Sequence, residues 1–180
     1  MPDQPPPDGG RSDELKLHEL HSETWLPAPI DDVFAFFAAA ENLERITPSA
    51  LRFRILTPKP VVIAEGSLID YEMRLRGIPF RWRTRISVWK PNERFVDEQL
   101  RGPYRSWIHL HRFEPRDGGT AVFDQVRYAL PFAPIGDLAL PLVRRELAGI
   151  FAFRRATIEE IFSLEAEGRG FGEGLLAAAF

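Results

Sequence analysis

Two histidines and two aspartates give this chain its chemical interest: Asp97, His109, His111 and Asp124, within the stretch RFVDEQLRGPYRSWIHLHRFEPRDGGTAVFDQVRYAL from Arg94 to Leu130. Side chains alternate along a strand, so Trp107, His109, His111 and Phe113 of one strand point the same way. Asp117-Gly118 is a strong hairpin signal. A turn centred there sets Phe113 opposite Val122, His111 opposite Asp124, His109 opposite Val126 and Trp107 opposite Tyr128. An Asp–His pair suits acid–base work, because a carboxylate fixes the imidazole tautomer and raises its pKa. The same pair also serves as a polar network that holds strands in register. His109 and His111 could chelate a metal with a carboxylate. His-x-His on a strand is nevertheless common without metal, and the expectation is that no metal or cofactor is bound.

These residues must be positioned by hairpins, and the preceding segment supplies them. GSLIDYEMRLRGIPFRWRTRISVWKPNERFV holds two further turns, at Gly77-Ile78 and Pro91-Asn92. Centring on the first pairs Leu75 with Phe80, Met73 with Trp82, Tyr71 with Thr84 and Ile69 with Ile86. The other face then pairs Glu72 with Arg83 and Asp70 with Arg85, as a solvated face should. Carried through the second turn, the inner face places Phe95 beside Val88, Asp97 beside Ile86 and Gln99 beside Thr84. A three-residue loop at Gly102-Pro103-Tyr104 sets Asp97 against His109 and Gln99 against Trp107. A two-residue loop would turn the histidines out, and the consistent inner face favours the former.

Upstream, Lys16 to Thr24 reads as a first strand and Pro29 to Ala39 as a helix with Val33, Phe34, Phe36 and Phe37 on its apolar face. A short helix around Glu41 to Ile46 and a strand from Leu51 to Thr57 follow. Downstream, Leu138, Leu142, Val143, Leu147, Ile150, Phe151, Ile158, Ile161 and Phe162 recur at helical spacing. The regular helix is expected to start at Pro141 and end near Leu164. Gly149 inside it suggests close approach to the sheet, and Arg154 shares the apolar face, where it could anchor an anionic head group or pair with Asp97, Asp124 or Glu146. Phe132 to Asp137 reads as an entrance loop.

Residues 1–14 are rich in proline and glycine and read as a disordered tail. Residues 15–164 form one domain. Residues 165–180, with four glycines between Gly168 and Gly174, read as a flexible tail. The net charge of −3 gives no reason to propose nucleic acid, and the strand arginines are interleaved with Asp70, Glu72 and Glu98. With no cysteine there is no disulfide framework, thiol nucleophile or thiolate metal site. No apolar run reaches the roughly 18–20 residues that span a bilayer, and no signal pattern is seen, so a cytoplasmic location is expected. No GxSxG, Walker, Rossmann or EF-hand pattern occurs.

The segments PAPIDDVFAFF, ENLERITP, FVDEQLRGPYRSWIHLHRF, GTAVFDQVRYALPF and FAFRR resemble the START-like, helix-grip superfamily (SRPBCC). That superfamily includes polyketide cyclases, aromatic-ligand carriers and coenzyme Q-binding proteins. More closely, they resemble a bacterial ligand-binding branch that occurs alone or fused to sugar-nucleotide-epimerase-like domains. The resemblance implies an α+β fold in which a curved antiparallel sheet wraps a long C-terminal helix around a deep cavity. It suggests binding of a small hydrophobic or aromatic molecule (lipid-, quinone- or polyketide-like) and an epimerase-like protein as a partner. The expected lining is Tyr71, Met73, Phe80, Trp82, Phe95, Asp97, Gln99, Trp107, His109, His111, Phe113, Asp124, Val126, Tyr128 and Arg154. The alternatives are a metal-free cyclase or dehydratase using His109 or His111 with Asp124 or Asp97, and an interaction domain with a vestigial cavity.

Overall fold

The computed structural model describes residues 15–132 and 135–177. Seven strands form one antiparallel sheet: β1 (His18–Leu26), β2 (Arg54–Ile55), β3 (Leu68–Leu75), β4 (Ile78–Lys90), β5 (Arg94–Arg101), β6 (Ser106–Arg116) and β7 (Gly119–Ala129). Their spatial order is β1-β7-β6-β5-β4-β3-β2, so the meander β3–β7 is flanked at its ends by β2 and β1. Helices α1 (Ile30–Ala38) and α2 (Asn42–Arg45) interrupt the chain between β1 and β2. The long helix α3 (Leu140–Ala177) follows β7 after a short 3-10 turn, Ile135–Ala139. This is the helix-grip arrangement.

The β6–β7 hairpin has the register its turn dictates: Phe113↔Val122, His111↔Asp124, His109↔Val126 and Trp107↔Tyr128. Asp117 and Gly118 both take positive φ, 51° and 76°, as a tight hairpin turn with the sheet's twist requires. The β3–β4 turn differs from expectation. Its centre is Arg76-Gly77, with φ of 51° and 83°, one residue before Gly77-Ile78. The glycine therefore takes the second turn position, and every pair slides by two: Met73 faces Phe80, Tyr71 faces Trp82 and Ile69 faces Thr84. A slip of two leaves each side chain on its original face. Trp82 is buried while Arg81 and Arg83 are exposed. The outer charge pairs become Asp70 with Arg83, two bonds of 2.8 Å, and Glu72 with Arg54.

Between β4 and β5 the expected pairs Asp97↔Ile86 and Gln99↔Thr84 are present, but a bulge at Ile86–Val88 sets Phe95 opposite Trp89 instead of Val88. Between β5 and β6, Asp97 faces His109 as expected, and the ladder stops at Glu98↔Ile108. β2 keeps two residues of the longer strand expected from Leu51 to Thr57. Ser49–Leu51 is a 3-10 turn, Arg52 takes φ 45°, and Pro58 and Pro60 cannot donate to a ladder. β1 starts and ends two residues later than expected.

Helix α3 lays Leu147, Phe151, Ile158 and Phe162 on the sheet, all buried. The first two pack with Trp82, Trp107, Val126 and Tyr128. The last two pack with Phe34, Phe95, Phe113 and Val122 at the other end of the sheet. Two expectations for this helix fail. A Cβ at Gly149 would meet nothing, so that glycine marks no close approach. The backbone also stays helical to Ala177 instead of ending near Leu164, so the segment expected as a flexible tail from 165 is helical up to there. Each glycine costs only about 1 kcal/mol in a helix already nucleated. The N-terminal 1–14 lies outside the described residues. Arg76, at the tip of the β3–β4 hairpin, hydrogen-bonds Glu146 of α3 and ties that hairpin to the helix.

Candidate functional site

Between the sheet and α3 lies a cavity of about 150 Å³. Its walls are built by alternation on β3, β4, β5 and β6. Tyr71, Met73, Phe80, Trp82, Phe95 and Trp107 line it, and Asp97, His109 and His111 form a polar floor. Arg154 reaches it from α3, in the helical stripe that runs through Leu147, Phe151, Ile158 and Phe162. A cation therefore occupies a place that helical spacing would otherwise give to an apolar side chain.

Five residues expected on the lining are elsewhere. Gln99 folds back onto its own loop, where its Nε2 donates to the Tyr104 carbonyl at 2.6 Å. Gly102 makes room for it, since a Cβ there would fall 2.2 Å from Gln99 Oε1. Phe113 belongs to the packed cluster under α1 with Phe34 and Ile158. Val126 and Tyr128 are core beneath α3, 0 % and 1 % exposed. Asp124 stands behind the histidines. Alternation assigns a face, whereas the curvature of the sheet decides which part of that face meets the helix and which the cavity. The sequence reading missed Phe36 and Phe37 of α1, Phe53, Tyr104, and Ile150 and Phe151 of α3. The apolar stripes of α1 and α3 carried that signal, but not their position over the sheet.

The four polar groups interlock. His109 Nε2 donates to Asp124 Oδ1 at 2.9 Å, and His111 Nε2 donates to Asp97 Oδ2 at 3.2 Å. The hydrogen bonds thus run diagonally, whereas direct cross-strand neighbours were expected to bond. The direct neighbours are also close: His111 Nδ1 lies 2.7 Å from Asp124 Oδ1, out of line for a hydrogen bond, and His109 Nδ1 lies 3.6 Å from Asp97 Oδ2. The two imidazoles lie against each other, with centroids 3.8 Å apart and planes tilted by 38°. Burial disfavours the charged form of both carboxylates. For Asp124, the His111 charge and the His109 hydrogen bond overcome it. For Asp97, the His111 hydrogen bond, the histidine charges and Arg154 do the same. Both carboxyls are held below their ordinary value. Burial and the neighbouring His111 charge push His109 down. Burial also opposes protonation of His111, but Asp124 and Asp97 outweigh it and raise its pKa.

Two donors on the lining are left over. Trp82 Nε1 and Arg154 Nε are buried and hydrogen-bond nothing among the described residues. Arg154 was weighed as a partner of Glu146, which instead bonds Arg76. Burial holds the Tyr71 hydroxyl well above its ordinary value, so the phenol stays neutral. Of the expected entrance loop, 133–134 lie outside the described residues. Phe132 and Leu138 beside them are exposed.

Several solved structures share the fold of this chain at low identity. An aromatase/cyclase, Zhui, from Streptomyces sp. R1128 matches with a TM-score of 0.66 at 14 % identity, over 82 % of this chain and 94 % of that one. TTHA0849 from Thermus thermophilus matches with a TM-score of 0.65 at 19 % identity, over 79 % and 95 %. The major latex-like protein 151 of Panax ginseng matches with a TM-score of 0.57 at 12 % identity, over 81 % and 97 %. No curated protein matches the chain. Among the described residues no helix is long and apolar enough to cross a membrane. The sequence model for polyketide cyclase / dehydrase and lipid transport proteins matches residues 26–152, and the chain belongs to that family.

Proposed function

We propose that this protein binds a small, mostly apolar aromatic molecule in the cavity between the sheet and α3. One observation carries the reading: aromatic walls enclose about 150 Å³ while two buried donors, Trp82 Nε1 and Arg154 Nε, lack partners. A buried donor without an acceptor costs about 1–3 kcal/mol, and a ligand oxygen placed between the walls removes that cost. Apolar lining with a few oriented polar groups is the usual build of a small-molecule site. A dry cavity of about this volume holds a single benzene-sized ring, so a fused-ring ligand requires the cavity to widen.

The test is titration with phenol and with 2-naphthol, followed by tryptophan emission, since Trp82 and Trp107 are walls. Saturable quenching is expected. Met73→Trp, which fills the space, should weaken it at least tenfold, and Trp82→Phe, which removes the indole donor, should weaken it several-fold. Absence of saturable binding, or equal binding by Met73→Trp and the parent chain, would refute the reading and leave an interaction domain as the better description.

A second reading, cyclase or dehydratase chemistry, rests on His109 and His111 standing side by side at the cavity floor with a carboxylate orienting each. It requires His109→Gln to keep ligand binding while abolishing turnover of a poly-β-keto thioester mimic.

A further inference from the structure

The geometry points to a divalent transition-metal site at the cavity floor, formed by His109 Nδ1, His111 Nε2 and an Asp97 carboxylate oxygen, with Asp124 behind both imidazoles and hydrogen-bonded to that of His109. These three residues offer ligand atoms that all lie within 4.8 Å of one another. Asp97 Oδ2 is 3.2 Å from His111 Nε2 and 3.6 Å from His109 Nδ1. Metal–ligand bonds of about 2.1 Å place neighbouring donor atoms roughly 3.0–3.4 Å apart, so both contacts of Asp97 lie within a few tenths of an ångström of ligand spacing, and the two ring nitrogens, within 4.8 Å of each other, close the triangle by side-chain rotation.

The nitrogens are assigned by their partners. Asp124 Oδ1 accepts from His109 Nε2 and stands 2.7 Å from His111 Nδ1. Each ring therefore turns its other nitrogen toward Asp97 and the cavity. A carboxylate that anchors the outer N–H of a ligating histidine is the usual support behind such an ion, fixing the tautomer and raising ligand basicity. The hydrogen bonds of the histidine–aspartate network use one nitrogen of each ring. His109 Nδ1 is too far from Asp97 to hydrogen-bond it, and His111 Nδ1 hydrogen-bonds nothing despite its closeness to Asp124.

Charge agrees with geometry. Asp97 and Asp124 face positive charge from His111 and Arg154, and a dication takes the place of the His111 proton, which binding releases. Arg154 is then left to face an anionic oxygen of whatever occupies the cavity. Two imidazoles and one carboxylate suit zinc or iron(II) rather than calcium or magnesium, which take oxygen ligands. Three protein ligands leave the remaining coordination positions open toward the cavity. The sequence reading expected no metal at His109-x-His111. It had placed Asp97 and Asp124 on the strands either side of the histidines, and what it lacked was the rotamers that turn His109 Nδ1 and His111 Nε2 toward Asp97. Whether the cavity also takes an apolar ligand does not bear on this site.

The untagged full chain, stripped with EDTA and dialysed, is titrated with Co²⁺ for its visible absorption bands and with Zn²⁺ by calorimetry. One ion per chain is expected, with a raised melting temperature. Asp97→Asn and His111→Gln should each lose at least 100-fold in affinity, and Asp124→Asn about 10–100-fold. His21→Gln, on an exposed histidine paired with Glu19, should change nothing. Melts of the metal-free variants separate lost binding from lost folding, and the parent chain decides first. If it binds Co²⁺ more weakly than about 1 mM, the proposal fails. It also fails if the parent binds but folded Asp97→Asn binds equally well.

Discussion

Asp124→Ala should destabilise this protein far more than Asp97→Ala, although the two carboxylates touch the same pair of histidines. Asp124 is 7 % exposed, and His109 and His111 are 4 % and 5 % exposed. Its removal leaves the His109 Nε2–H without an acceptor, a loss of about 1–3 kcal/mol. It also removes the nearer of the two carboxylates that raise the His111 pKa, and breaking a buried ion pair from one side costs roughly 3–5 kcal/mol in all. Asp97 opens on the cavity with a side chain 19 % exposed, so water replaces its hydrogen bond and the cost falls to about 1 kcal/mol. Asp124→Asn keeps an acceptor oxygen and should lie between them, at about 1–2 kcal/mol. For a chain of this length each kcal/mol lowers the melting temperature by about 2–4 °C. Asp124→Ala should therefore melt about 6–20 °C below the parent, and Asp97→Ala only a few degrees below. Urea melts with EDTA present measure the series without any contribution from metal. Equal losses for the two alanine variants, or a neutral Asp124→Ala, would refute the buried arrangement.

Gly149→Ala should stabilise the protein by up to about 1 kcal/mol, since the helix gains a better former and the new methyl meets nothing; a loss in denaturant melts would mean that the helix packs more closely there. His18, buried on β1 against the Tyr128 ring, has its pKa lowered first by burial and then by Arg144 and Lys16, against the opposing charge of Asp137. The folded state thus takes up fewer protons there than the unfolded chain. Its contribution is intact above the ordinary histidine value and is lost as pH falls through that value toward the depressed one. Between about pH 7 and pH 5, His18→Gln should therefore lose less stability than the parent, and identical slopes would show that His18 titrates freely.

Turn chemistry and alternation made much of the sheet legible. Asp117-Gly118 placed every pair of β6 and β7, and with them the inward histidines. At β3–β4 the glycine was recognised but its place in the turn was not, and the period of two absorbed the error. Patterning was weaker where tertiary contacts decide. Nothing local distinguishes Phe95, which lines the cavity, from Phe113, which is core, because they differ in where α1 and α3 cross the sheet. Gln99 shares the parity of Asp97 yet leaves the cavity, because Gly102 lets it cap its own loop. The histidines' partners were right as a set and crossed in detail, since rotamers select the diagonal and strand register does not. Past Leu164 the glycines predicted an end, whereas an established helix tolerates them.

The bond between Arg76 and Glu146 sets a time scale for the site. It joins the β3–β4 hairpin to α3, two elements that both line the cavity, through Leu75 and Phe80 on one side and Leu147 and Ile150 on the other. Both partners are partly exposed, 61 % and 24 %, and an ion pair of that kind is worth about 0–1 kcal/mol. It therefore biases the closed state by no more than a factor of about five. Closure at this end is a light latch, and rising ionic strength, which screens exposed charges, should quicken exchange of an occupant in and out alike while leaving its affinity nearly unchanged.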